Sequence, residues 1–416
     1  MSRSSVAHRA LMQAEVDAIC VRHERLWRAQ PGGARASFAW TQLSGLNFSR
    51  RNLTDADFTG AVLHDANFSE SKLDNANFFG ADMQGALLME ASMRRADLRG
   101  VSLRGANLSG ADMFEADLRE GAIAAADQHE GYRVMEHATH GVQAQGANLR
   151  GANLQRSKLS GVMANRADFS DAILKEAKLV RANLKHASFN GADLAGADLS
   201  GADFSGADMR NAILVGAKTV MWNVDRADLT GALTEKPAGT DVTDLPYGDM
   251  LQAHALWCET GGAEGKPSTF DGADLRALKS VKGLNLTALS AKGAVFYGLD
   301  MEGVQLQGAH LQGADLRGCN LRRADLRGVK LVGARLAAAD LRDVHLGPLL
   351  IRGDHVLPSD LTGAMMKTVD LSGADLRRVV FIDADLERAN FSGANVKMAD
   401  FENARLTGAR GLQRSD

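Results

Sequence analysis

The stretch Ala197–Met209, ADLSGADFSGADM, holds the reading of the whole chain. Leu199, Phe204 and Met209 stand five residues apart, each with Ala two places before it and Asp one place before it. Gly201 and Gly206 follow two places after the first two of these centres. Period five suits neither regular element. On an α-helix five residues turn through about 500°, so successive centres scatter round the cylinder and form no face. On a continuous strand five is odd, and alternate centres would point to opposite sides. Each pentad must therefore contain its own bend. In a short extended segment the centre and the residue two before it face the same side, and an Ala beside a Leu or Phe makes that interior narrow. Asp and Asn are poor strand formers whose short side chains bond neighbouring backbone at turns, and glycine tolerates corner geometry. The unit is one side and one corner of a closed parallel coil.

The same unit extends in both directions. From Leu43 to Ile123 all 17 successive pentad centres are Leu, Phe, Met or Ile. A second run of 17 goes from Leu149 to Leu229, with Ala164 and Thr219 as its small or polar exceptions. A third, of 26, goes from Val281 to Leu406 with Ala291 small, and Phe270 and Leu275 precede it one residue out of register. The expected organisation is an N-terminal helical cap at 1–40, coils at 41–123, an insert loop at 124–146 and coils at 147–233. A second helical cap or insert at 234–269, coils at 270–410 and a tail at 411–416 complete it.

The unit resembles the consensus A(D/N)LxG of the pentapeptide-repeat family over most of the chain. That resemblance implies an all-β solenoid, a right-handed quadrilateral parallel β-helix with four pentads to a coil, here carrying short α-helical caps and inserts. An isolated coil cannot offset its ordering entropy, so stability must come from stacking on neighbours.

Residues 5–28 read as a helix whose apolar stripe is Met12, Val16, Ile19, His23 and Leu26. An open coil end exposes unpaired backbone, so this helix is expected to cap it; a dimer-forming helix is the alternative. The segment HERLWRAQPGGARASF (His23–Phe38) has a later counterpart in HALWCETGGAEGKPSTF (His254–Phe270). In each a His, a Leu-Trp pair, a Gly-Gly and a Phe entering the register follow in order. His23 and Trp27 are thus matched with His254 and Trp257, giving two tandem modules that divide near residue 240. Asp244 followed by Pro246 marks a helix start for the second.

The composition narrows function. Net charge is −3 over 416 residues, and the three runs carry −4, +2 and +2, so no field favours nucleic acid or an acidic membrane. Cys20, Cys258 and Cys319 lie far apart with no CxxC, which fits a reducing cytoplasm. The N-terminus lacks the apolar core of a signal peptide, and no apolar run is long enough to span a bilayer. Catalysis needs groups converging in a cleft, which a narrow aliphatic coil does not have, and the aspartates recur for structural reasons. His129, His137 and His140 cluster in the insert but lack Cys or carboxylate companions for a metal. Gly265-Lys266 is not a phosphate loop, because Pro267 replaces the Ser or Thr. No enzyme, cofactor or metal is expected.

The remaining expectation is a binding surface for an unidentified protein. Loops on rigid scaffolds often carry function, so its candidates are His129, Tyr132, Arg133, His137 and His140 in the insert. Arg322 and Arg342, twenty residues apart, are expected to stack on one side. A homodimer through terminal coils or helices is a further possibility. The alternative function, implied by the family resemblance alone, is topoisomerase protection by DNA mimicry, as in members that confer quinolone resistance.

Overall fold

The computed structural model describes residues 8–127, 131–235, 246–352 and 355–412. It divides into two compact units, Met1–Ala238 and Gly239–Asp416. In both, parallel bridges join residues twenty apart, one per pentad: Asn47 to Asn67 to Leu87 to Asn107 in the first unit, Asp300 to Asn320 to Asp340 in the second. One column of the first unit runs through nine levels from Ser37 to Lys218, and one of the second through seven from Thr269 to Asp400. At a strand spacing of about 4.8 Å the stacks are roughly 40 and 30 Å high.

The pentad assigns all five of its backbone N–H groups, as Leu53 to Asp57 illustrate. The centre, Leu53, donates to Lys72 O in the next coil at 2.7 Å, and Asp55 donates to Asp74 O at 2.9 Å. Ala56 donates back to Leu53 O across the turn, and Asp57 reaches the preceding coil at Ala36 O. The fifth, that of Thr54, faces no coil and is taken by the side chain of Asn52 at 3.2 Å. An Asp or Asn that precedes a centre, as Asn52 does, is thus an Asx cap on its own corner. The residue two after the centre is left-handed, at φ 61 for both Asp55 and Gly60. Glycine is demanded outright at Gly60, where a Cβ would run into the Trp40 ring; elsewhere Asp, Asn, Glu and Arg accept this conformation.

Centres and the alanines before them fill each interior, nearly all without solvent exposure. The twenty-residue step places like on like. Phe38, Phe58 and Phe78 stack in one column at 5.0 and 4.7 Å, and Phe48 lies on Phe68 at 4.6 Å. Cys319 takes an alanine place, and burial pushes its thiol up to about 12.

Three features depart from the sequence expectations. Ile123 is not a coil centre. It belongs to β3 (Gly121–Asp127), which pairs antiparallel with β4 (Gly131–His140), and the ladder resumes where Ser102 meets Gln143, 41 residues on. Ile351 and Val356, counted as centres of an unbroken third run, also lie outside the coils. They sit on a second hairpin, β5 (Leu349–Arg352) with β6 (His355–Leu357), and Lys330 pairs with Asp360, 30 residues on. An insertion of ten residues preserves a five-residue register, so periodicity alone cannot reveal it. The third feature is the first helix. α1 spans Gln13–Trp27 and not 5–28, because β1 (Arg9–Ala10) pairs parallel with β2 (Thr41–Gln42) on the first coil. Its buried face is Val16, Cys20 and His23, while Met12 and Leu26 are exposed.

The second helix, α2 (Tyr247–Glu259), begins directly after Pro246; Asp244 lies outside the described residues. A 3₁₀ turn at Arg276–Leu278 adds the single residue that puts Phe270 and Leu275 out of register with Val281. Trp222, in the last described coil of the first unit, is half-buried and meets the Phe204 ring edge-on at 5.8 Å.

Candidate functional site

The ladder has a direction. Because each coil donates upward from its centre and from the residue two after it, the start of a stack presents mostly carbonyl acceptors. In the first unit donors from the N-terminal segment meet them. Leu11 N–H reaches Gln42 O at 3.3 Å. The Gln13 amide donates to Asn47 O at 2.9 Å and accepts the Asn47 N–H at 2.8 Å, imitating a missing strand. His23, fully buried, accepts the Ala36 N–H on Nδ1 at 3.0 Å. Its proton therefore resides on Nε2, which donates to Thr54 O at 3.0 Å. The Trp27 indole N–H converges on that carbonyl at 3.3 Å.

The second unit repeats this clasp. His254 accepts the Ser268 N–H on Nδ1 at 3.1 Å, and its Nε2 lies 3.2 Å from Thr287 O. Here the Cys258 thiol converges on the carbonyl, at 3.5 Å. The equivalent of Trp27 is thus Cys258, four residues after its histidine, and not Trp257, which sits three after. Burial is the largest influence on both imidazoles and holds them below the usual histidine range. It also raises the Cys258 thiol, and pushes that of Cys20 to about 11.

Of the residues marked out in the insert, His129 lies outside the described residues. Tyr132, Arg133, His137 and His140 are all on β4, where Tyr132 pairs with Ala126, Arg133 with Ala125 and His140 with Gly121. Arg322 and Arg342 occupy the same corner of successive coils, each two residues past the bridged pair Asn320 and Asp340. They differ in partner. Arg342 clasps Asp340 with Nε at 2.8 Å and Nη2 at 2.5 Å, which raises its pKa. Arg322 has Asn320 beneath it, which accepts its backbone N–H at 3.3 Å but brings no charge. Below them Lys282 pairs with Glu302 at 2.7 Å, so the column is mixed in sign.

The Asp340–Arg342 arrangement recurs. Asp97, Asp117, Asp208, Asp274, Asp315, Asp325 and Asp375 each hold the arginine two residues on, through one Asp-(Leu/Met)-Arg triplet. Asp315 and Arg317 are nearly buried together, at 4% and 5% side-chain exposure. Sequence reading missed the β5–β6 hairpin, which carries exposed Leu350, Ile351 and Val356 beside a coil corner where Leu349 rests on Gly328. Its signal was available in Pro348 and Pro358, since proline has no N–H for the ladder and cannot take positive φ.

The pentapeptide-repeat family model matches residues 41–80, 81–120, 140–175, 177–216, 305–343 and 370–408, more than half of the chain. The chain belongs to the pentapeptide-repeat family. Among solved structures it is similar to the pentapeptide repeat protein Rfr23 from the cyanobacterium Cyanothece 51142. Identity there is 30% over 32% of this chain and 88% of that one, with a TM-score of 0.23. It is similar too to HetL from Nostoc sp. strain PCC 7120, involved in heterocyst differentiation regulation, at 21% identity over 94% of both chains and a TM-score of 0.15. QnrB1, a plasmid-mediated fluoroquinolone resistance protein, matches at 18% identity over 56% of this chain and 94% of that one, with a TM-score of 0.22. Superpositions this poor add nothing to the family assignment. No curated protein matches the chain. No helix among the described residues is long and apolar enough to cross a membrane.

Proposed function

We propose that this pentapeptide-repeat protein is a non-enzymatic cytoplasmic scaffold whose coils, wound as right-handed quadrilateral parallel β-helices, hold out inserted hairpins to a protein partner. The observation that carries this reading is the β5–β6 hairpin. It leaves a coil corner and returns without disturbing the ladder on either side, and it exposes Leu350, Ile351 and Val356. Strands that expose apolar side chains from a fixed support suit protein docking. The β3–β4 hairpin, with Tyr132, Arg133, His137 and His140, is the second docking element, and the Arg322–Arg342 corner contributes to the surface.

The alternative, a DNA mimic acting on topoisomerase, needs a continuous acidic face, since it is phosphate charge that such enzymes read. Eight aspartates of the coils are each neutralised by their own arginine, which favours the scaffold. The test is capture from the native lysate with three baits: the full chain, one lacking residues 121–141, and one with 348–358 replaced by a single Gly. A partner lost with either hairpin supports docking through it. Partners indifferent to both changes, or inhibition of purified DNA gyrase by the full chain, would overturn the reading.

A further inference from the structure

The two histidine clasps share a chemical property that stands apart from the scaffold reading. Each imidazole uses both ring nitrogens in its neutral form, one accepting from the backbone of the segment entering the coils and the other donating to a corner carbonyl. A proton added at Nδ1 would face the Ala36 or Ser268 N–H, donor against donor, inside a site that excludes water. The chain must then either keep the ring neutral or release the helix.

We propose that His23 and His254 are acid-released latches, each holding its cap helix on the start of its own coil stack and letting go on protonation. Release would uncover the row of carbonyl acceptors at the first coil and, in the first unit, the Phe38 end of the interior.

The charged groups around each ring do not cancel this. On His23, burial is opposed by the Thr54 carbonyl, Asp55 and the neighbouring Glu24, while Arg35 acts with burial; burial prevails. On His254, burial works against the Thr287 carbonyl alone, and the Cys258 thiol sharing that carbonyl is kept neutral. Both imidazoles thus have a docked pKa below the ordinary value of about 6.5. A released cap takes up its proton first. Docking is therefore at full strength above about pH 6.5 and weakens below it, by up to about tenfold per pH unit for each single proton.

Hydrogen exchange of the full chain at pH 7.5 and 5.0, corrected for intrinsic rates, tests this. Peptides within 13–38 and 247–270 should lose tenfold or more of their protection at pH 5.0 while central coils such as 63–118 keep theirs. His23→Gln retains one donor and one acceptor but does not titrate, so it should abolish the acid response of α1 and leave that of α2 intact. Caps that stay protected at pH 5.0, caps that open in step with the central coils, or an H23Q cap that still responds would each defeat the proposal. Should H23Q fail to dock at pH 7.5, ¹⁵N shifts of the wild-type rings decide. An Nε2–H tautomer titrating below 6.5 supports the latch, and a pKa at or above 6.5 overturns it.

Discussion

Where an Asp or Asn precedes the centre it accepts the N–H two residues on, the one donor in the pentad that no backbone carbonyl takes. Asp198 takes both the Ser200 N–H at 3.1 Å and its hydroxyl at 2.6 Å. Asn accepts the corresponding backbone N–H at Asn47, Asn67 and Asn77. Asp198→Asn should therefore be nearly neutral, and Asp198→Ala should cost about 1 kcal/mol in urea unfolding. Equal losses for both would mean that charge and not the Asx cap matters here. This level was legible in the sequence, because the turn chemistry of Asp and Asn is local. The arginine clasp was not, since the Arg stands inside the corner, where the two-residue alternation of a strand no longer fixes a side chain's direction.

Elements inserted at corners leave the ladder untouched when the chain returns to the point it left. Gly347 and Ser359 bracket the β5–β6 insertion, and a left-handed residue is all that the bare corner needs between them. Replacing 348–358 by one Gly restores the twenty-residue spacing; retaining either proline would not, because its φ is fixed negative. The shortened chain should fold with a thermal midpoint within about 4 °C of the parent, a change of ~1 kcal/mol. A larger loss in differential scanning calorimetry would show that Leu349, resting on Gly328, is part of the fold's support. Here the sequence misled through arithmetic. Ile351 and Val356 fell on the five-residue grid only because ten is a multiple of five, whereas the 21 residues added between Ser102 and Gln143 shift the grid and were visible as an insert. The histidine clasps were half legible. The paired segments marked out His23 and His254, but matching Trp with Trp hid the Cys258 that stands in Trp27's place.

Among the described residues the buried apolar side chains form two clusters. One runs from Leu11 to Leu214 and the other from Leu251 to Phe391, each beginning under its own helix. A lesion in one should not propagate to the other. Leu316, 1% exposed, lies in the middle of the second. Leu316→Lys puts a charge where Leu→Ala alone would cost ~2–5 kcal/mol. Hydrogen exchange should find the coils around it unprotected and the first unit unchanged. Loss of protection throughout the chain would mean that the two interiors fold as one cooperative body.

The coil-on-coil ladder also bears on force. A chain pulled from the last coil of a stack meets only the hydrogen bonds of that coil to the one below, so it peels turn by turn and does not shear as a block. Each turn releases twenty residues, or 21 where the 3₁₀ turn sits, except the two that carry hairpins, which pay out 41 and 30. Under tension the inserted hairpins would act as slack, lengthening the protein at two fixed places while the coils on either side keep their grip.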